Sequence, residues 1–367
     1  MRMYARDLAA EADAFVAELY GEAPLVEVGG FFGPNGVRRS EQEIRNAVVA
    51  RANGEWTAWH TAAGAPRPEG DAGMFGRLVG YYLAAVSTLT PDTLTAVQAA
   101  ALGANYAALL AATATSATIS AEAARLAGIL LAGAPGGNAA GVATHVSTSI
   151  QRARQAFTDT GAFSAWSAAF VTACVRGTAI AQGLEAVLPS GRRHVGRDAL
   201  LLASLTHAAY TIEARRRRAA TAPVRRGTYH AGPPRERAPR IADIIVQDRR
   251  SGITVAQVAA LAGLAGGTPT HGDIVVEVQS GFAMTVGGNV GDSCRHRRYP
   301  LDAQGLLVID RRELFTQEDD AGTLPPVPSR TAQALADHST ARIFALLTPV
   351  EEYAAVPGQP YGGGILT

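Results

Sequence analysis

Three short segments of this chain carry residue types able to make and break a covalent bond. The first is Phe163-Ser-Ala-Trp-Ser167-Ala-Ala-Phe-Val171, where a hydroxyl falls at the start of a helical pattern. The first turn of a helix offers backbone N–H groups without helical acceptors, together with the positive end of the macrodipole. A serine placed there can attack a carbonyl while those N–H groups hold the oxyanion; the plainer reading is an N-cap or a small packing residue. The second segment is Thr270-His271-Gly-Asp-Ile-Val-Val-Glu-Val278, in which His271 stands at the mouth of a strand and can project rigidly into a cleft. The third is Val286-Gly-Gly-Asn289-Val-Gly-Asp292-Ser293, a glycine-rich turn exposing an amide and a carboxylate. Either could orient an imidazole. Nucleophile, base and orienter are what nucleophilic catalysis requires, and chain order leaves open whether the three meet.

The elements that must position them follow from periodicity and breakers. Ala5 to Tyr20 is amphipathic, and Ser40-Glu-Gln-Glu43 is a capping-box signature opening a helix toward Trp59. Met74 to Val86 again has helical spacing. Helices are expected from about Trp166 to Ala181 and from about Arg197 to Arg218. Strand-like runs follow at Ile241 to Gln247, Asp273 to Val278, Phe282 to Val286 and Leu306 to Ile309. Helices followed by several short strands indicate an α+β domain. Four zones result: a helical N-terminal region at 1–88, an Ala-rich low-charge helical module at 89–159, the α+β domain at 160–315, and an acidic, Pro-rich linker with a C-terminal tail at 316–367.

Composition narrows the function classes. The chain has 367 residues, 47% of them apolar and only 18% charged, enough to bury a sizeable core. Its 33 basic residues are all arginine. The net charge of +1 hides a basic middle third, with eleven arginines between Arg215 and Arg250. Aromatic residues do not alternate with these arginines, so base stacking on nucleic acid is not indicated. Two cysteines, Cys174 and Cys294, exclude a disulfide scaffold and a Cys-rich zinc site. No HExxH or paired-Cys pattern occurs, and neither a metal nor an organic cofactor is expected. The N-terminal stretch has no continuous apolar h-region of a secretory signal, which implies a cytoplasmic location or a non-classical, particle-borne export route. Polar residues interrupt 89–159 before the ~20 apolar positions that a membrane span needs. That zone reads instead as buried helices or a surface for protein partners.

The phrases AWSAAFV (165–171), SLTHAAY (204–210), THGDIVVEV (270–278) and VGGNVGDS (286–293), followed by RRYPLDAQGLLVI (297–309), resemble a bacterial family of uncharacterised proteins, domain of unknown function 2272 (DUF2272). That family in turn resembles the NlpC/P60 and CHAP peptidoglycan amidases and endopeptidases, which have a papain-like α+β fold. The resemblance covers about 160–315. In CHAP-type amidases the first motif reads WCAAFV, so Ser167 stands at the position of the nucleophilic cysteine. His271 matches their catalytic histidine and Asn289 its orienter, with Asp292 as a second candidate. His207 and Trp166 are expected to bind substrate, with a satisfied helix histidine as the plainer alternative for His207. The resemblance implies amide-bond hydrolysis in cell-wall peptidoglycan. Serine is the departure: a thiol can be pre-ionised by a nearby imidazolium, whereas a hydroxyl needs a general base during attack. An active serine hydrolase and an inactive wall-binding component of a phage-like or injection particle therefore both stand. Cys174 or Cys294 as nucleophile are lesser alternatives.

Overall fold

The computed structural model describes residues 31–32, 38–69, 166–181, 185–187, 193–195, 200–201, 204–219, 228–249, 270–309, 315–326 and 343–350, with isolated positions between 71 and 147. All of 1–30, with the first amphipathic pattern, and most of 89–159, the Ala-rich module, lie outside the described residues.

Two short strands, β1 (Phe31–Phe32) and β2 (Arg38–Arg39), pair with each other and lead into α1 (Glu41–Ala58). The capping box read from the sequence is formed. Ser40 Oγ accepts from the Glu43 N–H at 3.2 Å, and the Glu43 carboxylate accepts from the Ser40 N–H at 2.7 Å. Helix α1 buries Ile44, Arg45, Val48 and Ala52, one face at helical spacing. That face lies against α2 (Ser167–Ala181) and the sheet. A small hairpin, β3 (Glu185–Val187) with β4 (Arg193–Val195), precedes α3 (His207–Ala219). Helix α3 begins ten residues later than the expected Arg197. Thr206 caps it, with Oγ1 accepting from the Ala209 N–H at 3.3 Å.

The remaining strands are β5 (Thr228–Gly232), β6 (Ile244–Asp248), β7 (Thr270–Gln279), β8 (Phe282–Val290), β9 (Ser293–Pro300), β10 (Thr316–Gln317) and β11 (Ile343–Val350). They form one seven-stranded antiparallel sheet in the order β10-β9-β8-β7-β6-β11-β5. The α+β class expected from the sequence is the one observed. Hairpin β8–β9 turns through Gly291 and Asp292, whose φ values of 52° and 56° are those of a two-residue type I′ turn.

Two sequence expectations need correction, and one strand went unread. Leu306 to Ile309 forms no strand; it contributes an isolated bridge between Leu307 and Leu301. Strand β9 was hidden by its charges, because Ser-Cys-Arg-His-Arg-Arg-Tyr-Pro has no apolar alternation. Arg295 and Arg297 are nevertheless buried there, each held by partners. The boundary at 315 does not follow the fold. β10 pairs with β9, and β11 is an interior strand between β6 and β5, so the segment read as linker and tail completes the sheet.

The N-terminal helix is also part of this core. Arg45 and Asp243 are both fully buried and pair at 2.8 Å. Arg45 further donates to Ile241 O, Thr348 Oγ1, Pro349 O and Glu41 Oε1, at 2.6 to 3.0 Å. One guanidinium thus joins α1, the segment before β6, and β11. Removing one partner of such a pair leaves an uncompensated buried charge. Arg45→Ala is expected to destabilise the fold by about 3–5 kcal/mol, measured by urea denaturation of wild type and variant.

Candidate active site

Helix α2 opens on Ser167. The first helical hydrogen bond here runs from the Phe170 N–H to Trp166 O at 2.9 Å. The N–H groups of Ser167, Ala168 and Ala169 precede it and take no helical acceptor. The serine side chain does not meet the expected histidine. Ser167 Oγ lies 2.7 Å from His207 Nε2, and His207 Nδ1 forms a short contact with the hydroxyl of Tyr210 one turn on in α3. His207 was expected to bind substrate; its ring is committed to the serine instead.

Two proton arrangements satisfy this chain of contacts. In one, the Ser167 hydroxyl donates to Nε2 and Nδ1–H donates to Tyr210, so the imidazole can take the serine proton. In the other, Tyr210 donates to Nδ1 and Nε2–H donates to Ser167, which leaves no base. Burial pushes the Tyr210 phenol well above its ordinary range, so it stays neutral. Burial, assisted by His271 and Arg249, holds His207 well below the ordinary histidine range.

His271 is fixed in a second, separate arrangement. Its Nε2 lies 2.8 Å from Asp273 Oδ1, and Arg249 Nη2 lies 2.9 Å from Nδ1. A guanidinium only donates. Nδ1 is therefore the acceptor and Nε2 carries the proton that goes to Asp273. Both ring nitrogens are occupied, so neither Asn289 nor Asp292 orients this imidazole as the sequence suggested. Asn289 sits at a register irregularity near the end of β8 with φ 57°, and Asp292 is exposed at the tip of the β8–β9 turn. The orienting carboxylate is Asp273, two residues along the same strand and on the same face. The His-x-Asp spacing was the available signal for it.

Asp273 is itself fully buried. Besides His271 it accepts from Arg297 Nη1 at 3.1 Å, from Gln247 Nε2 at 3.2 Å and from the Tyr299 hydroxyl. Despite its desolvation, His271, Arg297 and Tyr299 hold this carboxyl far below its usual range. Burial outweighs the Asp273 charge at His271, whose pKa is lowered to about 4. The two imidazoles are neighbours, with ring centroids 5.5 Å apart.

Trp166, the other expected substrate-binding residue, is a core side chain. It stacks on Trp59 at 4.8 Å and donates from Nε1 to Glu69 at 2.8 Å. Both cysteines are buried and free, and burial pushes each thiol upward, away from the thiolate a nucleophile needs. No group of three metal-ligating side chains occurs among the described residues. No described helix is long and apolar enough to cross a membrane. The reacting groups are covered as they stand: Ser167, His207 and His271 are 2%, 3% and 2% exposed.

Comparison with protein families matches residues 132–324, just over half of the chain, to the model described as an uncharacterised protein conserved in bacteria (DUF2272). No curated protein and no solved structure matches the chain.

Two outcomes follow from this packing. A Cβ added at Gly272 would lie 2.6 Å from both His207 Nδ1 and the Tyr210 hydroxyl. Gly272→Ala is therefore expected to displace that pair and cost about 1–3 kcal/mol, read by urea denaturation. His207 and His271 are held neutral by burial, so below the unfolded value near 6.5 the unfolded chain binds protons that the folded chain refuses. Folding stability should fall as pH drops from 6.5 to about 4, as a series of urea midpoints at fixed ionic strength will show.

Proposed function

We propose that this chain, which belongs to the bacterial family DUF2272, is a serine-dependent amide hydrolase acting on peptidoglycan or a related cell-wall peptide. Ser167 is its nucleophile and His207 its base. The observation that carries this reading is the 2.7 Å contact between Ser167 Oγ, on the first residue of a helix, and His207 Nε2. The wall-peptide substrate rests on the resemblance to NlpC/P60 and CHAP enzymes. A helix opening on the reacting side chain and packed on an antiparallel sheet supports a papain-like assignment.

In this mechanism Ser167 Oγ attacks the amide carbon while its proton passes to His207 Nε2. Backbone N–H groups of the first helical turn hold the oxyanion. His207 then returns the proton to the leaving nitrogen, and water activated by the same imidazole releases the acyl group from Ser167. Tyr210 accepts from Nδ1–H and keeps the ring in the tautomer that Nε2 needs. His271 takes no proton from Ser167; itself neutral and tied to the Asp273 carboxylate, it forms the wall against which His207 rests. A base held well below the ordinary histidine range abstracts a proton weakly near neutral pH. The enzyme is accordingly a slow one, and its carbonyl substrate must uncover the serine first.

That coverage favours a second reading, a non-enzymatic wall-binding component of a phage-like or injection particle. Sacculus retention without lysis by wild type would establish it. Under the hydrolase reading, Ser167→Ala abolishes muropeptide turnover and His207→Ala lowers kcat by about 10²–10⁴-fold. The acid limb of the kcat/KM profile lies below pH 6.5, because His207 stays neutral there. Wild-type and Ser167→Ala rates that are equal would remove Ser167 from the chemistry.

A further inference from the structure

The geometry points to Arg249 as the anchor for a substrate carboxylate, so that the site takes peptides carrying a free carboxylate close to the amide presented to Ser167. This deepens the hydrolase reading and rests on it for the reacting group, while the anchor itself rests on other atoms. Arg249 follows β6 directly and is exposed, unlike the buried Ser167, His207, His271 and Asp273. It is the one member of the set that a molecule arriving from solvent meets first. A guanidinium has five N–H donors in a planar fork suited to a carboxylate. Among the described residues, the hydrogen bond Arg249 makes is the one to His271 Nδ1, a neutral acceptor.

Charge argues the same way. The carboxylate whose charge acts on Arg249, Asp273, is already committed to His271, Arg297, Tyr299 and Gln247. Arg297 pairs with that carboxylate directly, while Arg249 feels it only through space and reaches a neutral imidazole. Partial burial of its guanidinium, and then Arg297, press Arg249 below its ordinary range, which a bound anion would relieve. Distance sets the substrate. Arg249 touches His271, whose ring lies 5.5 Å from that of His207, which in turn touches Ser167. A chain held by its carboxylate at Arg249 reaches Ser167 within about three extended residues. The site then fits a short peptide near its carboxyl end rather than the interior of a long polymer.

The test is direct binding, independent of turnover. The full-length chain with Ser167→Ala is titrated with N-acetyl-Ala-Ala bearing a free carboxylate and with the same peptide as its C-terminal amide. The free acid should bind at least tenfold more tightly. Adding Arg249→Gln should erase that preference, and Arg249→Lys should keep part of it, because the charge remains while the fork is lost. Unchanged thermal unfolding of both Arg249 variants shows that the fold is intact, as expected for an exposed side chain. Equal binding of the two peptides, binding of neither, or a preference surviving Arg249→Gln overturns the anchor. Should the preference hold while wild type hydrolyses no amide, the hydrolase reading fails and the anchor stands.

Discussion

The arrangement of this molecule depends on a fully buried carboxylate, Asp273, at the centre of the sheet. An isolated charge cannot stay in such a place, so the sheet supplies donors from three strands. His271 comes from β7 itself, Gln247 from β6, and Arg297 and Tyr299 from β9. Strand β9 is not adjacent to β7, and its two side chains must reach across β8. Gly287 makes that reach feasible, because a Cβ there would fall 1.9 Å from Asp273 Oδ1. The neighbouring Gly288 does the same for α2, since a Cβ at that position would strike Phe170 and Trp166. The glycine pair in Val-Gly-Gly-Asn therefore serves close packing. Its amide-bearing neighbour is not aimed at an imidazole.

This constraint divides the labour between two histidines. His271 is tied to Asp273 on one side and Arg249 on the other, which fixes its tautomer and leaves no lone pair for Ser167. His207 arrives from a different element, α3, and fits because Gly272 presents no side chain between His271 and Asp273. The imidazole backed by a carboxylate is thus not the one touching the hydroxyl. The one touching the hydroxyl is backed by a neutral phenol. Under the proposed chemistry, imidazolium formed at His207 gains no contact with an anion, and the positive charge at Arg249 opposes it. A carboxylate-bearing ligand at Arg249 would offset that opposition.

A second buried charge shows the same logic at larger scale. Arg45, on a helix more than 100 residues upstream of α2, satisfies its guanidinium on Asp243, Ile241 O, Thr348 and Pro349 O. The ion pair lies between an N-terminal helix and strands from the middle and the end of the described chain. Segments that read as separate regions become one core because each half of this pair would be stranded without the other. Glu318, just past β10, acts similarly, accepting from the Trp56 and His60 side chains of the α1 end and from the His296 N–H of β9.

Local patterns in the sequence were sufficient for the capping box at Ser40, the helix starting at Ser167, the strands after His271 and Phe282, and hence the α+β class. Each of these depends on neighbours within a few positions. The chemistry-bearing motifs were legible too, as Ser167 in Ala-Trp-Ser, His207 in Leu-Thr-His and His271 in His-Gly-Asp. Their pairing was not. A hydrogen bond between Ser167 and His207 spans 40 positions, and no periodicity encodes it. Strand β9 escaped because its arginines are buried through ion pairing, which hydrophobic alternation cannot register. Strand β11 escaped because its place between β6 and β5 is set by edge hydrogen bonds and by the Arg45 cluster. Residue types and local spacing determined which groups could react; only the closure of the sheet around Asp273 decided which of them touch.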